Sequence, residues 1–231
     1  MTASRKNLIE TLRGGLIASA QAYPGEPLRD PRTMVQMAAA CAEGGASAIR
    51  CQGLADCSLI VDVVEVPVIG LWKDGHEGVF ITPTLRHATA VAATGVDIVA
   101  LDATRRPRPD GRSVARTIAE LREDYPDVLV MADCGSADDA WAAQDADADI
   151  LSTTLAGYSG ERPRTDGPDL ELLDEILSFA DRPVVVEGRV HTTAQAAEAL
   201  DRGAHAVCVG TAITHPTSIT RWFVDAMTTQ S

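Results

Sequence analysis

The stretch Val66–Lys73, Val-Pro-Val-Ile-Gly-Leu-Trp-Lys, is a near-continuous apolar run that ends on an amine. A strand this apolar is buried on both faces, as in a parallel sheet covered by helices. The Lys at its C-terminal end therefore sits at the rim of a core. It is also scarce, because Lys6 and Lys73 are the only lysines and the remaining cationic side chains are Arg. Arg keeps its proton near neutral pH, whereas a partly buried Lys can release one, so Lys73 is as well explained by proton chemistry as by solvation.

The same plan recurs along the chain. A short amphipathic helix from about Ser4 to Leu12 ends at Gly14-Gly15, ahead of the apolar strand Leu16–Ala20. Further strands are predicted at Ala48–Cys51, in the run ending at Lys73, and at Asp97–Asp102, Val128–Asp133, Asp149–Thr153, Pro183–Glu187 and Ala206–Val209. Helices are predicted between them. Asp30-Pro31 caps one that Gly44-Gly45 closes, and another runs roughly over Leu54–Val64. Thr84, Ser113, Ser136 and Thr192 or Thr193 open others, and Asp169–Ala180 and Pro216–Met227 complete the set. Eight strands alternating with eight helices predict an α/β TIM (β/α)8 barrel, a single domain over residues 1–231 with a short N-terminal helix. A doubly wound open sheet is the alternative, but no GxGxxG or GxxxxGK[ST] follows the first strand. The longest loop, Leu155 to Pro168, is a candidate mobile lid.

Charge and composition narrow the partners. A formal net charge of −13 argues against nucleic-acid or membrane-surface binding, which needs a basic patch. The basic run Arg105-Arg106-Pro-Arg108 is short and lies in a Pro- and Gly-rich loop. The sequence has no apolar run near the roughly 20 residues that span a bilayer and no apolar signal core at its start, so the expected location is cytoplasmic. Cys41, Cys51, Cys57, Cys134 and Cys208 are scattered without CxxC spacing and read as buried or free thiols. The five histidines form no pair at helical spacing, so no metal site is expected.

In a barrel of this kind, function sits just past the C-terminal ends of the strands. Those places hold Gln21, Arg50, Lys73, Asp102, Asp133, Thr153-Thr154, Glu187 with Gly188-Arg189, and Gly210-Thr211. An amide, a guanidinium, an amine and three carboxylates converging on one mouth form a catalytic assortment. The Gly turns after the seventh and eighth strands lie where barrel phosphate sites are built, with backbone N–H groups free to approach an anion.

Several motifs fall in one family's order. Gly14-Gly-Leu-Ile-Ala-Ser-Ala-Gln21-Ala-Tyr-Pro-Gly-Glu-Pro-Leu28, Ile49-Arg50, Gly70-Leu-Trp-Lys73, Ile81-Thr-Pro-Thr84 and Ala100-Leu-Asp-Ala-Thr104 are followed by Arg108-Pro-Asp-Gly111 and Met131-Ala-Asp133. Then come Thr153-Thr-Leu-Ala-Gly-Tyr158, Asp166-Gly-Pro-Asp169, Glu187-Gly-Arg189 and Val209-Gly-Thr-Ala-Ile-Thr214. From about Leu12 to Ala226 the chain thus resembles the N-acetylmannosamine-6-phosphate 2-epimerases. The resemblance implies an isomerase on a TIM barrel, without metal or organic cofactor, interconverting N-acetylmannosamine 6-phosphate and N-acetylglucosamine 6-phosphate in sialic-acid and amino-sugar breakdown. It places the catalytic pair on Lys73 and Glu187, sugar contacts on Gln21, Arg50 and Asp133, and phosphate contacts on Gly188, Arg189, Gly210 and Thr211. Two departures stand out. The connection after Lys73 is the short acidic Asp-Gly-His-Glu-Gly, and His215 occupies a place where the family commonly has Arg, so His215 is carried as a phosphate ligand.

The chemistry agrees with that assignment. Inverting C2 of a 2-acetamido sugar requires ring opening, a base of near-neutral pKa, and stabilisation of an enolate. Lys73 is assigned to proton transfer at C2, Glu187 to ring opening and closing, and Arg50 to charge on oxygen. Rival readings are a Schiff-base aldolase using Lys73, a ribulose-phosphate type of epimerase, and a non-catalytic sugar-phosphate sensor. The last helix, with Trp222, Phe223 and Met227, is expected to pack on the barrel, with a homodimer surface as the alternative.

Overall fold

In the computed structural model, residues 3–228 are described. Eight parallel strands close a barrel in chain order: β1 (Gly15–Ala20), β2 (Ala48–Gln52), β3 (Val68–Leu71), β4 (Ile98–Asp102), β5 (Leu129–Asp133), β6 (Ile150–Ser152), β7 (Val184–Glu187) and β8 (Ala206–Val209). Closure comes from β1 pairing with β8, Ile17 standing opposite Cys208. The helices preceding β1 to β5 are α1 (Ala3–Thr11), α2 (Pro31–Glu43), α3 (Leu54–Val61), α4 (Leu85–Ala92) and α5 (Val114–Asp124). Those that follow β5 are α6 (Ala137–Asp145), α7 (Leu170–Leu177), α8 (Thr193–Asp201), α9 (Thr211–Thr214) and α10 (Pro216–Thr228).

Period-2 alternation builds two apolar layers from these strands. Ile17, Ala48, Ile69, Leu71, Ile98, Leu129, Met131, Ile150, Val185 and Cys208 fill the barrel interior. Their neighbours Ala18, Ile49, Val68, Val99, Val130, Leu151, Val186 and Val207 face the helices instead. The same alternation, carried past the last apolar residue of each strand, turns Gln21, Arg50, Lys73, Asp102, Asp133, Thr154 and Glu187 to the inner side. One rule therefore makes both the core and the polar mouth.

Helix α1 closes the opposite end. Ile9 and Leu12 join the interior layer, and His205 Nε2 contacts the Ile9 carbonyl at 2.8 Å. Asp149 fixes the same end by contacting Arg5 and Arg122 at 2.5 and 2.9 Å. On the outer side of β3, Gly70 admits α4 onto the strand backbone. A Cβ there would meet Val91 and Val96 methyls at 2.9 Å.

The capping residues read from sequence take their places. Asp30 accepts from Arg32 N ahead of Pro31, and Thr84, Ser113, Ser136, Asp169 and Thr192 cap α4 to α8. Side chains cross-link the Leu155–Pro168 loop to its surroundings. Arg162 bridges Asp169 and Glu175, Arg105 reaches Glu161, and Arg189 donates to the carbonyls of Ala156 and Gly167.

The last helix departs from expectation. No residue of α10 is buried, and Phe223 and Met227 are 68% and 75% exposed. His215, at φ −124° and ψ 73°, breaks the helical path between α9 and α10, and Pro216 restarts it in a new direction. The contact of α10 with the barrel is partial: the Trp222 ring lies 4.8 Å from that of His191, while Phe223, Val224 and Met227 stay exposed.

Candidate active site

Lys73 stands two residues beyond β3, and its backbone is fixed by an antiparallel bridge to Ile81. The short acidic connection makes this return: Asp74 N donates to Phe80 O at 2.9 Å and Thr82 N to Trp72 O at 2.7 Å. Lys73 Nζ donates to Gln21 Oε1 at 2.8 Å, and Gln21 Nε2 donates on to Ser19 Oγ at 2.8 Å. A neutral amide orients the amine without stabilising its charge as a carboxylate would. Burial, reinforced by the Arg50 charge, lowers the Lys73 pKa to about 8, against the opposing pull of Glu187 and Asp133. Tyr23 adds its ring 5.4 Å from the amine.

A second group of charges lies on the neighbouring strands. Arg50 donates to Asp133 through Nη1 at 3.0 Å and Nη2 at 2.6 Å, and Nη1 is also 3.0 Å from Glu187 Oε2. Among the described residues, Arg50 Nε has no hydrogen-bond partner. Burial opposes the Arg50 charge, but Asp133 and Glu187 outweigh it and raise its pKa. Burial is the main effect on Glu187 too, and together with Asp133 it raises this carboxyl's pKa against the pull of Arg50. The cluster is thus a buried cation with two carboxyls, one locked in a two-point pair and the other partly open to the mouth.

The remaining carboxylate of the strand ends, Asp102, serves the loop beside it. It accepts from Arg106 Nη2 at 2.7 Å and from Thr104 N and Oγ1 at 2.9 and 2.6 Å. Arg108 is buried and donates to the Asp102 and Thr82 carbonyls, whereas Arg105 at the start of the basic run stays exposed.

The expected phosphate residues divide. Gly188, at φ 104°, makes the turn after β7 in a region that favours glycine, and Gly210 leads into α9 at Thr211. The Arg189 side chain is turned away to the Leu155–Pro168 loop, with all three of its donor nitrogens on Gly167 O, Ala156 O and Thr165 Oγ1. Its positive φ of 57° sends the guanidinium along that path. His215 is engaged within the chain, Nδ1 at 2.8 Å from Ser218 Oγ and Nε2 at 2.5 Å from Glu26 Oε1. Glu26 also accepts from Tyr23 N at 2.7 Å, so His215 and Glu26 together hold the loop that carries Tyr23.

Two contributors escape a reading by strand ends, because Tyr23 and Glu26 lie in an irregular loop. Thr154, read from sequence only as a strand-end position, gains its role from the partners the fold gives it. Among the described residues no cluster of three or more His, Cys, Asp or Glu is placed to hold a metal ion, and no helix is long and apolar enough to cross a membrane.

Comparison with known proteins converges on one family. The family model described as "Putative N-acetylmannosamine-6-phosphate epimerase" matches residues 34–229. The chain is similar to a Cutibacterium acnes protein named "Putative N-acetylmannosamine-6-phosphate 2-epimerase", with 59% identity over 98% of this chain and 100% of the relative. A Caldanaerobacter subterraneus protein of the same name is 44% identical over 94% of this chain and 93% of its own length. Among solved structures, the N-acetylmannosamine-6-phosphate 2-epimerase from Clostridium perfringens superposes with a TM-score of 0.91 at 36% identity, covering 95% of this chain and 96% of that one. A thiamine phosphate pyrophosphorylase from Pyrococcus furiosus, at 20% identity and a TM-score of 0.61 over 93% of each chain, shares the fold alone. With its barrel, its strand-end polar groups and relatives matched nearly end to end, this chain belongs to the N-acetylmannosamine-6-phosphate 2-epimerase family.

Proposed function

We propose that this single-domain barrel is a cytoplasmic isomerase that interconverts N-acetylmannosamine 6-phosphate and N-acetylglucosamine 6-phosphate by moving a proton at C2. The observation that carries the reading is the Lys73 amine, held by Gln21 at 2.8 Å and brought to a pKa of about 8 beside the Arg50–Asp133–Glu187 cluster. Such an amine is a base at working pH, and Arg in its place would not be.

In this reading Glu187 helps the sugar ring open to the C1 aldehyde, which acidifies the proton on C2. Neutral Lys73 removes that proton, and the electron pair moves onto the C1 oxygen. The Lys73 ammonium, whose protons exchange with solvent, returns a proton to the other face of C2 once the open chain has turned that face towards it. The electron pair moves back from the C1 oxygen, and the epimer results. Arg50 supplies positive charge near that oxygen, acting from beneath through the groups it pairs with. Gln21 contacts the sugar and orients Lys73, while Asp133 fixes Arg50. The phosphate is received by the backbone N–H groups of the Gly188-Arg189 and Gly210-Thr211 turns, with His215 at their edge.

Proton NMR of the protein with N-acetylmannosamine 6-phosphate in heavy water tests the proposal. The gluco epimer should form with deuterium at C2. Bound but unturned substrate would shift the reading to a sensor, and borohydride-trapped Lys73 would shift it to an aldolase.

We further infer a homodimer in which a second copy covers the apolar face of α10, where Trp222, Phe223, Val224 and Met227 are exposed. Light scattering should give twice the chain mass, and Phe223→Asp should halve it. A monomeric wild type removes the inference.

A further inference from the structure

The Thr154 hydroxyl has three oxygen neighbours: Ser152 Oγ at 2.7 Å, Asp133 Oδ1 at 2.9 Å and Glu187 Oε2 at 3.1 Å. A hydroxyl carries one proton and two lone pairs. It satisfies three partners only by donating to one and accepting from two. Ser152 is itself a hydroxyl and can donate. Asp133 sits in a two-point pair with Arg50, at 3.0 and 2.6 Å, and can only accept. Two ionised carboxylates would therefore compete for one proton.

We propose that Thr154 donates to Asp133 and accepts from a protonated Glu187, and so holds Glu187 in its acid form in the resting site. When Glu187 ionises, the hydroxyl turns its proton to Glu187 and leaves Asp133 to Arg50. Thr154 is a positioning residue in this account, which rests on reading Glu187 as the acid–base group of the epimerisation. With Glu187 neutral, every contact of the Thr154 oxygen is a hydrogen bond. With Glu187 ionised, one contact sets a lone pair against a carboxylate oxygen. The neutral form is favoured by about one hydrogen bond.

The other groups that face Glu187 stay constant in this comparison. Arg50 on β2 favours its anion, Asp133 on β5 opposes it, and the Cys208 thiol on β8 is a further donor. Lys73 beyond β3 and Tyr23 in the loop after β1 also feel its charge. Counted alone, a hydroxyl that donates to Glu187 lowers its pKa. Competition with Asp133 reverses that sign, and the reversal is measurable.

The test is a carbon-13 NMR titration of protein labelled at the glutamate carboxyl carbons, with the Glu187 resonance assigned by its loss in Glu187→Gln. In wild type, Glu187 should titrate above an ordinary Glu, the direction set by its burial and by Asp133. Thr154→Val should lower its pKa by about one unit, and Thr154→Ser should restore it. The same valine variant should lose about tenfold in kcat with little change in KM, again restored by Ser. An unchanged or raised pKa in Thr154→Val overturns the proposal, as does a wild-type Glu187 that titrates at or below an ordinary Glu, which decides the matter even if the valine variant does not fold. Full turnover by Glu187→Gln would remove the acid–base reading of Glu187 itself, while the titration still judges the Thr154 contact.

Discussion

Arg50 and Asp133 face each other across the barrel interior as a two-point ion pair, with Nη1–Oδ1 at 3.0 Å, Nη2–Oδ2 at 2.6 Å, and side chains 1% and 0% exposed. Removing one charge of such a pair leaves the other buried and uncompensated, at a cost of about 3–5 kcal/mol. Asp133→Asn should therefore lower the stability to urea by that order. It should also lower the Lys73 pKa further, because Asp133 is among the charges that hold it up. A variant as stable as wild type would show that solvent reaches Arg50.

The pH dependence follows from the direction of the Lys73 shift. An amine serving as base must be neutral, and its pKa is depressed by burial to about 8. The fraction of enzyme with neutral Lys73 thus grows as pH rises and levels off above that value, while loss of the Glu187 proton sets a separate descending limb. Fitted apart from that limb, the Lys73 limb of kcat/KM should rise about tenfold between pH 7 and 9. Lys73→Arg, which keeps the charge but cannot lose its proton, should fall by about 10³-fold or more. Absence of the rising limb over this range would remove Lys73 from proton transfer.

Gln21 provides a separate handle on the same amine. Its Oε1 lies 2.8 Å from Nζ, so Gln21→Glu would put a carboxylate against the ammonium form. An opposite charge at that distance raises a Lys pKa by about 1–3 units. The alkaline rise of kcat/KM should move up by at least about one unit, with activity at pH 7 falling accordingly. An unmoved limb would mean that the amide contacts a different state of Lys73 from the one that reacts.

What the sequence disclosed depends on which rule placed each residue. Lys73, Asp133 and Glu187 were legible because strand alternation is rigid, so the first polar residues past an apolar run inherit the inward register. The cap residues were legible because Asp, Ser and Thr at a helix start have a local reason to be there. The direction of Arg189 was not, since a positive φ at a non-glycine residue is set by the surrounding loop. Neither was the pairing of His215 with Glu26, whose partners come from opposite ends of the chain. Thr154 was legible as a strand-end position, but its partners were not, since a hydroxyl carries little signal until its neighbours are known. The exposure of α10 shows the limit of periodicity, which gives an apolar face but not what covers it.

The closed end of the barrel allows stability to be separated from catalysis. Leu12 is fully buried in the interior layer with Ile9, Ile17 and Ile69, at the end away from Lys73 and Glu187. Truncating a buried Leu leaves a cavity that its neighbours fill only in part, with a cost of about 2–5 kcal/mol. Leu12→Ala should show that loss in urea denaturation, with the folded fraction keeping the wild-type kcat and pH profile. The reason is geometric, since the mouth groups are positioned by their own strands and by contacts with one another, and none of the hydrogen bonds at Lys73, Arg50 or Glu187 reaches α1. If the profile shifted along with the stability, the interior layer would be transmitting strain from α1 to the mouth, and the strand ends would be less rigidly held than the barrel register implies.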